Sequence, residues 1–387
     1  MLVRVSDRLK ALPPYLFVEM DKAKKKARDE GRDIIDLGVG DPDTPTPQFI
    51  IDALNSAVRD PSTHRYALDQ GLPELRDEIA SWYERRFNVK VDPKEEVLPL
   101  IGSKEGISHM PLAFINPGDI ALVSDPCYPP YKSGVIFAGG KVELLPLLSD
   151  NDFLANLESI PSAKAKKAKL IYLNYPNNPT AAVADESYFL NVVKFASKHG
   201  IIICHDAAYS ELSYDGYKAP SFLSAKGAKE TGVEFHSLSK TFNMTGWRIG
   251  FVVGNRDIVQ AIAKVKSHID SGIFTAIQRA GIAALKSYDR YIGSIRSRYE
   301  ARRDVLCDGL NKIGWKVQRS KATFYVWARC LKGYDSIKMA SHLLNEADVV
   351  ATPGVGFGPN GEGYVRFAFT VCEERIKEAL SRINKIV

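Results

Sequence analysis

From about residue 97 the chain alternates short, continuously apolar runs with longer stretches of helical period. The runs VLPLIG (97–102), DIALVSD (119–125), KVELLPL (141–147), KLIYLN (169–174), GIIICHD (200–206), VEFHSLS (233–239) and RIGFVVG (248–254) predict buried strands. A strand apolar throughout has both faces covered, as in a mostly parallel sheet flanked by helices. Amphipathic stretches such as DESYFLNVVKFASKHG (185–200) lie between them, this one closed by a glycine where a helix C-cap belongs. The pattern predicts a large α/β domain over residues 47–286.

After residue 286 the period changes. Residues 288–314 predict one long helix; WKVQ (315–318), TFYVWAR, VVATP and YVRFAFT predict strands, and 373–386 a last helix. The first 46 residues predict a helix and one strand, DIIDLGVG (33–40). Residues 1–46 and 287–387 are therefore expected to form a smaller α+β domain together.

At 387 residues, 45% hydrophobic and 25% charged, the chain is long enough for two lobes and ordinary for a globular protein. A net charge of +6 from 52 basic and 46 acidic residues gives no strong field. The local runs KAKKKAR (22–28) and KAKKAK (164–169) read as solvated helix faces rather than a nucleic-acid surface. Five cysteines lie far apart with no C-x-x-C pair, which points to reduced thiols and away from a zinc site or a disulfide framework. The N-terminus lacks the apolar core of a signal peptide, and no apolar run approaches the ~20 residues of a membrane helix, so a cytoplasmic location is expected.

Ligands of open α/β sheets bind at the C-terminal ends of the strands, and the chemistry-bearing residues collect there. GSKEGISHM (102–110) opens a helix whose first amides, with Ser103 and Lys104, could hold a phosphate. Other strand ends are followed by Tyr128 in DPCYPPY, Asn178 in NYPNNPT, Asp206 and Tyr209 in HDAAYSEL, and Lys240 in SLSK. Singly each is weak: a strand-end Asp is most often a cap, an Asn-Pro pair a turn, a loop lysine a solvated cation. Their convergence on one sheet edge is what needs a ligand.

The stretch SLSKTFNMTGWRIG (237–250) holds two cations and no acid. A phosphate would use Ser237, Ser239 and Arg248; an aldehyde would use Lys240 to form an imine. A protonated pyridine nitrogen would use the carboxylate of Asp206, a ring phenolate Tyr209 and Asn178, and the ring face Tyr128. Phosphate, aldehyde, pyridine and phenol on one ring describe pyridoxal 5′-phosphate.

The motifs S-x-S-K, G-W-R, N-P-T, D-x-x-Y and G-S-K-E, in the family's order along the chain and across nearly its whole length, resemble the class I/II aminotransferases of fold type I. The resemblance implies a pyridoxal-phosphate-dependent transaminase working on amino acids and 2-oxo acids. Lys240 would be the imine lysine, Asp206 the pyridinium partner, and Tyr209 and Asn178 the donors to the ring oxygen. It also implies that Arg366, in GYVRFAFT, clamps the substrate α-carboxylate. Tyr66, in HRYALDQG, would reach the phosphate of the neighbouring subunit in a homodimer with shared sites. LPPYLF (12–17), LGVGDPDTPTP (37–47) and KATFYVWA (321–328) resemble one branch of that family in particular, in which Tyr15, Gly40 and Lys104 would touch the substrate. One departure is that Ala181 stands where the family usually has glycine after N-P-T; if that position needs φ > 0, alanine adds about 1 kcal/mol of strain.

GFGPNGEG (356–363) formally contains G-x-G-x-x-G, but it opens no helix and reads as a loop rather than a dinucleotide site. A non-catalytic binding protein is the competing class. Racemase, lyase and decarboxylase reactions on the same scaffold remain open, since Arg366 selects for an α-carboxylate without choosing among them.

Overall fold

A computed structural model describes residues 3–13, 16–67 and 70–387. Its centre is a seven-stranded sheet in the order Val97–Leu100, Gly250–Gly254, Gly232–Ser237, Ile202–Asp206, Ala168–Asn174, Ile120–Asp125, Lys141–Pro146. Only Gly250–Gly254 runs antiparallel to its neighbours in this sheet. Alternate residues of one strand enter different cores: Ile171 and Leu173 pack on one side, Leu170 and Tyr172 on the other. That double burial is why these strands are apolar throughout.

The helix Glu186–His199 shows how the covering layer forms. Asp185 accepts the Tyr188 amide at its N-cap, and Gly200 closes it in the left-handed region at φ 66°. Its inner face buries Phe189, Val192, Val193 and Ala196. Each of the larger side chains contributes on the order of 1.5–3 kcal/mol in transfer.

A separate core serves the rest of the chain. Val365, Phe367, Met339, Leu306 and Ile376 pack there with Ile35 and Leu37 from the N-terminal segment. The strands Thr352–Pro353, Tyr364–Ala368 and Tyr325–Arg329 form an antiparallel sheet, and Ile35–Asp36 pairs in parallel with Val349–Val350. The long helix spans Tyr288–Lys312.

Several elements differ from expectation, for local reasons. WKVQ joins no ladder, because the Asn311 side chain takes both the Val317 amide (2.9 Å) and the Val317 carbonyl (3.0 Å). VVATP splits into two two-residue strands with different partners, Val349–Val350 and Thr352–Pro353; Pro353 has no N–H to extend a ladder. DIIDLGVG pairs only at Ile35–Asp36, since Asp36 Oδ1 accepts the amides of Gly38 (2.9 Å) and Val39 (3.3 Å) and turns the chain toward the cleft. Among the described residues of the first 46 there are two helices, Asp7–Lys10 and Leu16–Asp29, rather than one. On the second, Lys24 of the basic run is buried between Asp21 (2.6 Å) and Asp36 (3.0 Å), not solvated.

GFGPNGEG is a loop of two short 3-10 turns, tied to the central sheet. Asp125, buried at a strand end, accepts both Asn360 N (2.9 Å) and Asn360 Nδ2 (2.7 Å) and pairs with Lys132. Among the described residues no helix is long and apolar enough to cross a membrane.

Candidate active site

The strand ends at Leu100, Asn174, Asp206 and Ser237 face a cleft of about 240 Å3. Gly40, Ser103, Lys104, Tyr128, Asn178, Asp206, Tyr209, Ser237, Ser239, Lys240, Arg248 and Arg366 all line it. Two other candidates do not join them. Tyr66 is 92% exposed and does not line this cleft, and Tyr15 lies outside the described residues.

Lys240 sits in the one-turn helix Leu238–Thr241, whose start Ser237 caps by accepting the Ser239 amide at 3.2 Å. Lys240 Nζ donates to the carbonyl of Gly40 at 3.0 Å. Burial pulls the Lys240 ammonium down to about 8, helped by Arg366 and Arg248 and opposed by Asp41 and Asp206. An amine that is neutral for part of the time near pH 7 is a nucleophile and a base.

Asp206 ends the strand Ile202–Asp206 fully inside the protein. Its Oδ2 accepts Tyr131 Oη at 2.7 Å and its Oδ1 accepts the Ala208 amide at 3.1 Å. Burial outweighs both and pushes the carboxyl above its ordinary range. A buried carboxylate whose hydrogen bonds come from a phenol and an amide is suited to a cationic N–H from a ligand.

Arg366 shows the opposite imbalance. It is 2% exposed, and its Nη1 and Nη2 donate to Asn178 Oδ1 (2.6 Å) and the Gly38 carbonyl (2.7 Å), neither of them charged. Its Nε has no protein partner, and the guanidinium lies over the rings of Tyr325 (4.1 Å) and Phe357 (4.6 Å). A desolvated cation held by neutral oxygens calls for an anion, and a guanidinium matches a carboxylate in two-pronged fashion.

Asn178 belongs to a loop braced from below: its amide donates to Asn174 Oδ1 at 2.7 Å, and Asn174 Nδ2 donates to the Asp206 carbonyl at 2.7 Å. With Oδ1 engaged by Arg366, the amide nitrogen of Asn178 is the end able to donate. Ala181 does adopt φ 60°, the left-handed conformation that glycine would meet without strain. Tyr209 Oη and Tyr325 Oη lie 3.0 Å apart, and burial keeps the Tyr209 phenol protonated.

At the other end, the helix Ser103–Phe114 begins at Gly102, φ 74°. A Cβ there would fall 2.3 Å from Arg248 Nη2, so glycine lets the guanidinium cross the helix start. Burial and the nearby Arg248 lower the Lys104 ammonium. Two cations and a helix N-terminus make an anion cradle. Gly40 is required for a similar reason: a Cβ would fall 2.0 Å from Tyr325 Oη.

Tyr131, Asn174 and Tyr325 line the cleft and were not expected from the sequence. Tyr131 follows Tyr128 by three positions in DPCYPPY, and Asn174 ends its strand four before Asn178, so spacing pointed to both. Nothing local marks Tyr325. Together the residues can hold an anionic group at Gly102–Arg248, a protonated ring nitrogen at Asp206, a carbonyl at Lys240 and a carboxylate at Arg366.

The profile of the family "Aminotransferase class I and II" matches residues 32–383. An LL-diaminopimelate aminotransferase of Halothermothrix orenii is 52% identical over 379 residues, 98% of this chain and 97% of the relative. One of Moorella thermoacetica is 50% identical over 380 residues, 98% and 97% of the two chains. Among solved structures, substrate-bound BacF from Bacillus subtilis is similar, with a TM-score of 0.95 and 40% identity, covering 100% of this chain and 98% of that one.

Proposed function

We propose, from the premise that this chain belongs to the aminotransferase class I and II family and transfers amino groups, that its donor is LL-2,6-diaminopimelate and its acceptor 2-oxoglutarate. The products are then glutamate and, after cyclisation, tetrahydrodipicolinate, a step of lysine biosynthesis. The observation carrying the reading is the convergence of Lys240, Asp206 and Arg366 in one cleft, each with a charge or proton affinity that the protein leaves for a ligand. The choice of donor is supported by relatives near 50% identity over nearly the full chain that carry that name.

The cofactor we propose is pyridoxal 5′-phosphate, which when bound withdraws electrons from the substrate carbon that loses its proton. Its phosphate is held by Ser103, Lys104, Ser237, Ser239 and Arg248, joined by Tyr66 of the partner subunit in a homodimer. Asp206 holds the ring nitrogen protonated, Tyr209 and Asn178 donate to the ring oxygen, and Tyr128 covers one ring face. Lys240 would hold the cofactor through its aldehyde carbon, and its Nζ would be the group that takes up the proton lost from substrate Cα. Arg366 binds the α-carboxylate, which orients the Cα–H bond toward that amine. Gly40, Lys104 and Tyr128 line the approach of the remaining substrate. The reading includes a cytoplasmic location and a division into residues 47–286 and residues 1–46 with 287–387.

The deciding experiment is a donor panel with 2-oxoglutarate: LL-diaminopimelate, meso-diaminopimelate, lysine, aspartate, alanine and phenylalanine, compared by kcat/KM. A site that hydrogen-bonds both ends of a diamino diacid should prefer the LL isomer by at least about tenfold, because analogues leave buried polar groups unpaired. A win for aspartate or phenylalanine would replace the donor and leave the transaminase chemistry intact.

A further inference from the structure

Behind the sheet, on the side away from the cleft, one carboxylate gathers four donors. Glu234, in the strand Gly232–Ser237, is 0% exposed. Its Oε1 accepts Tyr83 Oη (2.7 Å) and His236 Nε2 (2.8 Å); its Oε2 accepts the Phe222 amide (2.6 Å) and His205 Nδ1 (2.9 Å). The far nitrogen of His205 faces the Tyr175 amide at 3.2 Å. That amide can only donate, so His205 Nε2 carries the lone pair and its proton sits on Nδ1, pointing at Glu234. Burial alone would raise the Glu234 carboxyl, but the bonds from the two histidines hold it well below its usual range.

The positions of the donors give the network its meaning. His205 immediately precedes Asp206, His236 immediately precedes Ser237, and Tyr175 immediately follows Asn174. Successive strand residues point to opposite faces, so whatever fixes His205 and His236 behind the sheet also fixes their neighbours in front. Glu234 pairs in register with His205 across adjacent parallel strands. Core stability does not require this arrangement, since buried charge is usually matched or bettered by apolar packing. A fully satisfied network holds one geometry, and a displacement of about 1 Å at a reacting centre costs about 100-fold.

We propose that Glu234 is a positioning residue of the active site, setting through His205 and His236 where Asp206 and Ser237 stand in the cleft. The inference rests on the cofactor reading above and extends it to a residue that touches neither cofactor nor substrate.

The test compares His236→Gln with His236→Asn. Both remove the imidazole that stacks on Phe251, but only the glutamine amide reaches as far as Nε2 and can still donate to Glu234. Each holoenzyme is read by the visible circular dichroism of bound pyridoxal phosphate, its dissociation constant, kcat and KM. Expected is a changed dichroism band and a kcat at least about tenfold lower at nearly constant KM for the asparagine variant, with the glutamine variant within about threefold of wild type. Two indistinguishable variants would overturn the proposal. Should His236→Asn fail to fold, Glu234→Gln decides: it keeps the shape but removes the carboxylate charge from both histidine links, and its amide nitrogen faces two of the four donors. An unchanged dichroism band and kcat in that variant would also overturn the proposal. A wild-type protein that takes up no pyridoxal phosphate would sink the cofactor reading itself, and this inference with it.

Discussion

Tyr131 donates its phenolic proton to Asp206 Oδ2 across 2.7 Å, joining the helix Pro130–Phe137 to the end of a strand 75 residues away. Burial and the carboxylate itself keep the phenol protonated, so it acts as a donor throughout the physiological range. Against the burial that raises the Asp206 carboxyl, this bond favours the ionised form the proposed chemistry needs.

Tyr131→Phe is therefore expected to cost turnover. Losing a hydrogen bond to a charged group, worth about 1.5–3 kcal/mol, should lower kcat by roughly 10- to 100-fold. Asp206→Asn should lose more, about 1,000-fold, with cofactor still bound. Steady-state kinetics check both, and a Tyr131→Phe enzyme with wild-type kcat would show that the remaining Ala208 amide suffices.

Lys240 supplies a pH prediction. Its ammonium is depressed to about 8, so the neutral amine is lost as pH falls below that value and nearly complete above it. Covalent uptake of pyridoxal phosphate by the apoenzyme should slow by about tenfold per pH unit below about 8 and level off above it. Lys240→Ala should abolish both uptake and turnover. Borohydride reduction followed by peptide mass mapping should place the cofactor on Lys240, and label on another lysine would contradict the assignment.

Arg366→Lys preserves charge but not geometry. One ammonium cannot serve Asn178, the Gly38 carbonyl and a two-pronged carboxylate together. KM for the amino donor should rise by about 100-fold, with a smaller change in kcat, because the lost contact is made before as well as during reaction. A KM unaffected by the change would remove Arg366 from carboxylate binding.

Ala181→Gly concerns stability alone. The residue holds φ 60°, which costs a side-chain-bearing residue about 1–2 kcal/mol, while glycine adds about 0.4–1 kcal/mol of unfolded-chain entropy. The balance favours glycine by up to about 1.6 kcal/mol. Denaturant titration of the apoenzyme should show a higher midpoint at an unchanged slope, and a lower midpoint would mean that the buried methyl packs well enough to offset the strain.

The amino-acid order was sufficient for the seven strands and for most of the cleft. Double burial writes an apolar run into each strand, and a sheet whose strands mostly run one way brings their ends to one edge, so Ser103, Asn178, Asp206 and Lys240 could be grouped before any distance was known. Arg366 and Gly40 were legible only through resemblance, because no local pattern separates a buried clamp from a strand arginine.

What tertiary structure alone decided is which groups meet. Asn311 satisfying the Val317 backbone, Tyr131 reaching Asp206, Tyr325 beside Tyr209, and Glu234 collecting two histidines all depend on side chains brought together by packing or register. Periodicity records which face of an element is buried. It carries no information about which polar group on another element will lie within 3 Å, because that is set by how strands align and how helices settle on them.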